Sequence, residues 1–128
     1  MLENRIEAQF GDKLEQFSHE VLGPKGYSAA YLKIQGAKGW PDRLLVWGQA
    51  DGPANYIWIE WKRPGEQPRP LQKHIHKILR AMGADVRVYD DWRVALEEIT
   101  GEVRAAIGAG PWDEAHLLRR NPPIPPAR

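Results

Sequence analysis

Gly39-Trp40-Pro41-Asp42-Arg43, followed further on by Ile59-Glu60-Trp61-Lys62, is the stretch whose reading decides the fold. The second piece ends an apolar run, Tyr56 to Lys62, that reads as a strand. Side chains alternate faces along a strand, so Glu60 and Lys62 share one face, roughly 6–7 Å apart. Trp61 turns to the opposite face with Ile57 and Ile59. With Arg43 to Trp47 as the neighbouring short strand, Asp42 stands at its mouth within reach of Glu60. Gly48 to Asn55, which contains Asp51-Gly52-Pro53, is the hairpin connection between the two. Two carboxylates and an ammonium converging on one side of a sheet suit a divalent cation bound to a phosphate.

The flanking sequence supplies helices. Leu2, Ile6, Phe10, Leu14, Phe17 and Val21 recur at three- and four-residue spacing, a single apolar stripe. Gly11 weakens that helix by about 1 kcal/mol against Ala, and Gly23-Pro24-Lys25-Gly26 ends it. Ser28 to Ile34 reads as a strand and Gly36 to Pro41 as a loop. Pro64, Gly65, Pro68 and Pro70 stiffen the next loop. Leu71, Ile75, Ile78, Leu79 and Met82 mark an amphipathic helix stopped by Gly83, and Val86 to Tyr89 is a last strand. Trp92, Leu96, Ile99, Val103 and Ile107 form another helical stripe, behind Asp90 or Asp91 as cap. The order α-β-β-β-α-β-α predicts an α/β fold: a mixed central sheet flanked by helices, with an antiparallel hairpin and one crossover. Residues 1–110 make the domain. Residues 111–128 form a C-terminal extension whose Pro-rich tail, from Asn121, reads as extended.

A chain of 128 residues is one domain, able to bury roughly two thirds of its unfolded surface. With no cysteine there is neither a disulfide framework nor a Cys-based zinc site, which fits a reducing, intracellular setting. No apolar run approaches a membrane span, and the acidic N-terminus is unlike a secretory signal, so a cytoplasmic protein with no membrane partner is expected. The net charge of +1 argues against a simple polycation, but its distribution is lopsided. From Lys33 to Arg87, ten basic residues face five acidic ones. That middle region is either a footprint for a phosphate backbone or an ordinary solvated surface.

An oxygen-rich carboxylate pair without cysteine favours Mg²⁺ or Mn²⁺ over zinc. The main-chain carbonyl of Trp61 is a further candidate ligand. Lys62 has two open roles: a charged group that steadies the transition state, or a general base with a lowered pKa. His74 and His76 lie two apart on a helix, about 200° around it, and cannot share a metal. His19 and His116 have no partner pattern, so all four histidines are expected to be structural or surface residues. No Gly-rich phosphate loop or Gly-x-Ser-x-Gly elbow is present. Trp47, Trp61 and Trp92 fall on apolar stripes and belong to the core. Trp40, beside Asp42, is the candidate for substrate contact.

In this order the residues resemble the VRR-NUC family, a branch of the PD-(D/E)xK nuclease superfamily, and in particular its stand-alone phage and bacterial members. The resemblance runs through Ile6-Glu7, Lys33, Gly39-x-Pro41-Asp42-Arg43, Ile59-Glu60-Trp61-Lys62, Pro70-Leu71-Gln72-Lys73 and Leu79-Arg80-Ala81-Met82-Gly83. Trp61 departs from the smaller aliphatic residue usual there. The resemblance implies a restriction-endonuclease-like α-β-β-β-α-β core. It also implies a metal-dependent, structure-selective DNA endonuclease that resolves four-way junctions or cuts flaps as a homodimer. Asp42, Glu60 and Glu7 would hold the metal, Lys62 would serve the attacking water, and Gln72 would lie near the metal waters. Lys33 matches a basic family position expected at phosphate, and Lys38, Trp40, Arg43 and Lys73 complete the expected DNA-binding set. The alternatives are a non-catalytic nucleic-acid-binding module or a subunit of a phage or repair assembly.

Overall fold

Alternation along β3 (Asn55–Trp61) gives the sheet its two sides. Ile57, Ile59 and Trp61 are buried against α1 (Leu2–Phe17) and α3 (Trp92–Ile107). Glu60 points the other way, beneath α2 (Pro70–Ala81). The computed structural model describes residues 2–112, excluding the side chains of residues 2 and 3. The tail and His116 therefore lie outside the described residues.

Four strands stand in the order β1-β2-β3-β4, where β1 is Tyr27–Lys33, β2 Arg43–Gln49 and β4 Val86–Tyr89. The first two pairings are antiparallel. The last, β3 with β4, is parallel and is bridged by α2. The fold is α/β, with a mixed four-stranded sheet and three α-helices among the described residues. In that set no helix is long and apolar enough to cross a membrane.

β1 and β3 each begin and end one residue earlier than expected, and two further boundaries differ by more. β2 runs on to Gln49 because β1 supplies its partners there, pairing Ser28 with Gly48 and Tyr27 with Gln49. The first helix is not regular through Val21. From Ser18 to Leu22 it widens, the Gly23 N–H reaching back to the Ser18 carbonyl. The wider turn carries Leu22 fully into the core and leaves Val21 half-buried.

Aromatic packing fixes how α1 lies on the sheet. The Phe10 ring sits 5.1 Å from Trp61 and 5.4 Å from Tyr31. The Trp61 indole N–H donates to the Tyr31 hydroxyl at 2.7 Å, so each polar tip is satisfied inside an apolar layer. Burial drives the Tyr31 pKa well above the usual phenol range. Of the two possible caps for α3, Asp91 takes the role, accepting from the Arg93 N–H at 2.9 Å. Asp90 accepts instead from the Gly65 N–H at 3.1 Å, tying the loop after β3 to the end of β4. Trp112 packs edge-on against Phe17 and donates to Glu20, so the core extends to that residue.

Trp61→Phe keeps most of the packing but removes the donor to Tyr31, and should lower stability by about 1–2 kcal/mol. Trp61→Ala should cost about 3–5 kcal/mol. Urea unfolding of the two variants measures both.

Candidate active site

Asp42 is placed by the loop before it. Gly39 has a left-handed φ of 81°, and a Cβ there would stand 2.7 Å from Leu71 Cγ and 3.1 Å from Ile75 Cγ1. Only glycine lets the loop lie this close to α2. Pro41 is fully buried, and the Trp40 ring rests edge-on against Trp58 at 5.6 Å. The chain then enters β2 with Asp42 one position ahead of Arg43, its carbonyl accepting from the Ile34 N–H.

The β2–β3 register pairs Arg43 with Ile59, which sets position 42 opposite position 60. Asp42 thus stands at the end of the sheet beside the Glu60–Trp61 segment. Its Oδ2 accepts from the Trp61 N–H at 3.2 Å, taking the place of a ladder partner just before β2 begins. Trp58 and Lys62 give their N–H groups to β4. By alternation the main-chain groups of Trp61, its carbonyl included, face the edge where Asp42 lies.

Glu60 is 1% exposed. Gln72 Nε2 donates to its Oε2 at 3.1 Å, while Gln72 Oε1 accepts from the Arg69 N–H at 2.8 Å. The one amide thus closes the first turn of α2 and positions the carboxylate. Lys62, 4% exposed, sets its Nζ 3.7 Å from Glu60 Oε2 and 3.7 Å from Glu66 Oε1. His76 Nε2 stands 3.6 Å from Glu60 Oε1, too far for a hydrogen bond. Burial lowers the His76 pKa from the ordinary 6.5, helped by the Arg80 and Lys62 charges and opposed by Asp42.

The structure therefore brings Asp42, Glu60, Lys62, Gln72 and the Trp61 main chain together. Glu7 is elsewhere. It comes from α1 on the opposite side of the sheet, where its Oε1 accepts from Arg43 Nε at 3.1 Å. The Arg43 guanidinium lies over the Tyr31 ring, so its charge is spent within the α1 side. Lys33, Lys38 and Lys73 are exposed, and Trp40 is 36% exposed. Two residues at the site were not foreseen. His76, expected to be structural or surface like the other three histidines, is buried against the Glu60 carboxylate. Glu66 pairs with Lys62. The signal for His76 was its spacing: Gln72, His76 and Leu79 follow the inward stripe of α2.

Among the described residues, no group of three or more His, Asp or Glu side chains stands where it could hold a metal ion. Asp42, Glu60 and the Trp61 carbonyl nevertheless form an all-oxygen set. Such a set suits Mg²⁺, which takes one or two carboxylates and keeps several waters. No known protein-family model matches the chain, and no curated protein matches it.

The His76 environment has a pH signature. Its folded pKa is depressed, so the unfolded chain takes up this proton first as the pH falls below about 6.5. Stability should fall from there down to the lowered folded value, and no further on this account below it. In urea unfolding at pH 7.5 and 5.5 (chosen to bracket the ordinary His value of about 6.5), His76→Gln should show a smaller loss than the wild type.

Proposed function

We propose that this chain is a nuclease that hydrolyses DNA phosphodiesters with Mg²⁺ or Mn²⁺. The observation that carries the reading is the Asp42 carboxylate on the Trp61 N–H at 3.2 Å, next to the buried Glu60, whose carboxylate stands 3.7 Å from the buried Lys62 amine. Burying a carboxylate and an ammonium together costs several kcal/mol unless they are well paired, and a fold that needed only packing would place apolar residues there. The α-β-β-β-α-β order and these residues support a restriction-endonuclease-like core of VRR-NUC type.

Asp42, Glu60 and the Trp61 carbonyl would hold the cation. When bound, it polarises a phosphoryl oxygen and makes water a nucleophile near neutral pH. Lys62 presents its ammonium to the attacked phosphate and stabilises the negative charge that builds there. Gln72, fixed by the Arg69 N–H, keeps Glu60 Oε2 aimed. Trp40 and the exposed Lys33, Lys38 and Lys73 are available to the DNA backbone. The preferred substrate is branched or flapped DNA, and a two-fold dimer would set two such sites on opposed strands of a four-way junction.

The test incubates purified protein with labelled single-strand, duplex, flap and four-way-junction DNA in Mg²⁺, Mn²⁺ or EDTA. Branched substrates should be cut in either metal and left intact in EDTA. Lys62→Ala and Asp42→Asn should each slow cutting by at least about a hundredfold. Asn can still accept from the Trp61 N–H, so Asp42→Asn should unfold near the wild-type temperature. Tight binding with no cleavage in either metal overturns the proposal and leaves a non-catalytic DNA-binding module.

A further inference from the structure

A cleft of about 430 Å³ opens beside the carboxylate pair, between α2, the loop after β3 and the end of β4. Its lining is largely polar, with three cationic side chains, Lys62, Lys73 and Arg80, against two acids. Lys73, His76 and Arg80 come from one face of α2, Lys62 from the end of β3, and Glu66 and Asp90 stand opposite. Both acids are engaged, Asp90 by the Gly65 N–H at 3.1 Å and Glu66 by Lys62 at 3.7 Å. No ion pair holds the Lys73 ammonium among the described residues. The Arg80 guanidinium is already oriented, its Nε and Nη2 donating to the Val86 carbonyl at 3.3 and 2.8 Å. Among the described residues no hydrogen bond holds its remaining nitrogen. His76 belongs to both places, touching Glu60 on one side and lining the cleft on the other.

We infer that this cleft is a phosphate subsite, holding a phosphate of the bound strand other than the one that is cut. The inference rests on the nuclease reading. A tetrahedral anion accepts several charge-assisted hydrogen bonds at once. Lys73, the remaining Arg80 nitrogen and His76 line it together as donors, and Lys62 adds charge behind them. An anion seated here also competes with Glu66 for Lys62. The phosphate is either a 5′-terminal one or an internal one of the backbone.

The experiment follows backbone amide resonances of the isotopically labelled full chain in EDTA, titrated with inorganic phosphate, thymidine 5′-monophosphate or thymidine. Phosphate and the monophosphate should shift the amides of Lys62, Gly65, Lys73 and Asp90, and thymidine should not. Lys73→Ala and Arg80→Lys should each weaken the effect about fivefold. An undisturbed cleft, or an unchanged affinity in Lys73→Ala, overturns the inference. A 5′-phosphorylated oligonucleotide that binds wild type more tightly than its unphosphorylated twin, an advantage lost in Lys73→Ala, identifies the terminal phosphate. Equal binding of the two, with a salt dependence in Lys73→Ala reduced by about 0.7–0.9, identifies an internal one. Anion binding without metal-dependent cutting retires the nuclease and keeps the subsite; cutting with a silent cleft does the reverse.

Discussion

A carboxylate sealed between a sheet and a helix is the constraint on which the rest of this molecule turns. Glu60 cannot be solvated by water, so neighbouring segments must supply its partners. Gln72 donates one hydrogen bond from α2, and Lys62 brings positive charge from the same strand. These needs fix the rotation of α2 about its axis, because Gln72 and His76 must both face β3. They also fix the entry of α2, since the amide oxygen of Gln72 is occupied by the Arg69 N–H. Apolar residues of similar volume would pack this space at lower cost.

Asp42 is held by a different device. β2 begins only at the next residue, and the Asp42 carboxylate takes the Trp61 N–H that lies just beyond the ladder. The same peptide unit turns the Trp61 indole into the opposite layer, where Tyr31 and Phe10 receive it. The packing that stabilises the sheet from below also sets the position of the main chain that Asp42 grips from above. The Glu7–Arg43 pair belongs to that lower layer, which is why the sheet separates it from Lys62 and Gln72.

Most of the fold was legible in the sequence because period-2 and period-3.6 patterns were strong where they mattered. Ile57, Ile59 and Trp61 against Glu60 gave the two sides of β3, and the α2 and α3 stripes match their observed helices closely. The widened turn at Ser18 to Leu22 was not legible, since one extra residue per turn leaves the three- and four-residue spacing nearly unchanged. The extension of β2 through Gly48 and Gln49 was hidden because it depends on pairing with β1, not on the residues themselves. At the candidate site, Asp42, Glu60, Lys62 and Gln72 were readable from spacing and resemblance. His76 was missed because only pairing with another histidine was considered, when its partner is a carboxylate on a different element.

Trp40 and Trp58 hold their rings 5.6 Å apart at an interplanar angle of 64°. Two indoles so close and so skewed are electronically coupled chromophores, and their mutual handedness carries a circular-dichroism signature of its own. One ring rides on the loop that leads into Asp42 and the other on the strand that carries Glu60. The optical activity of this pair therefore reports how the two halves of the carboxylate site are disposed, with no label added.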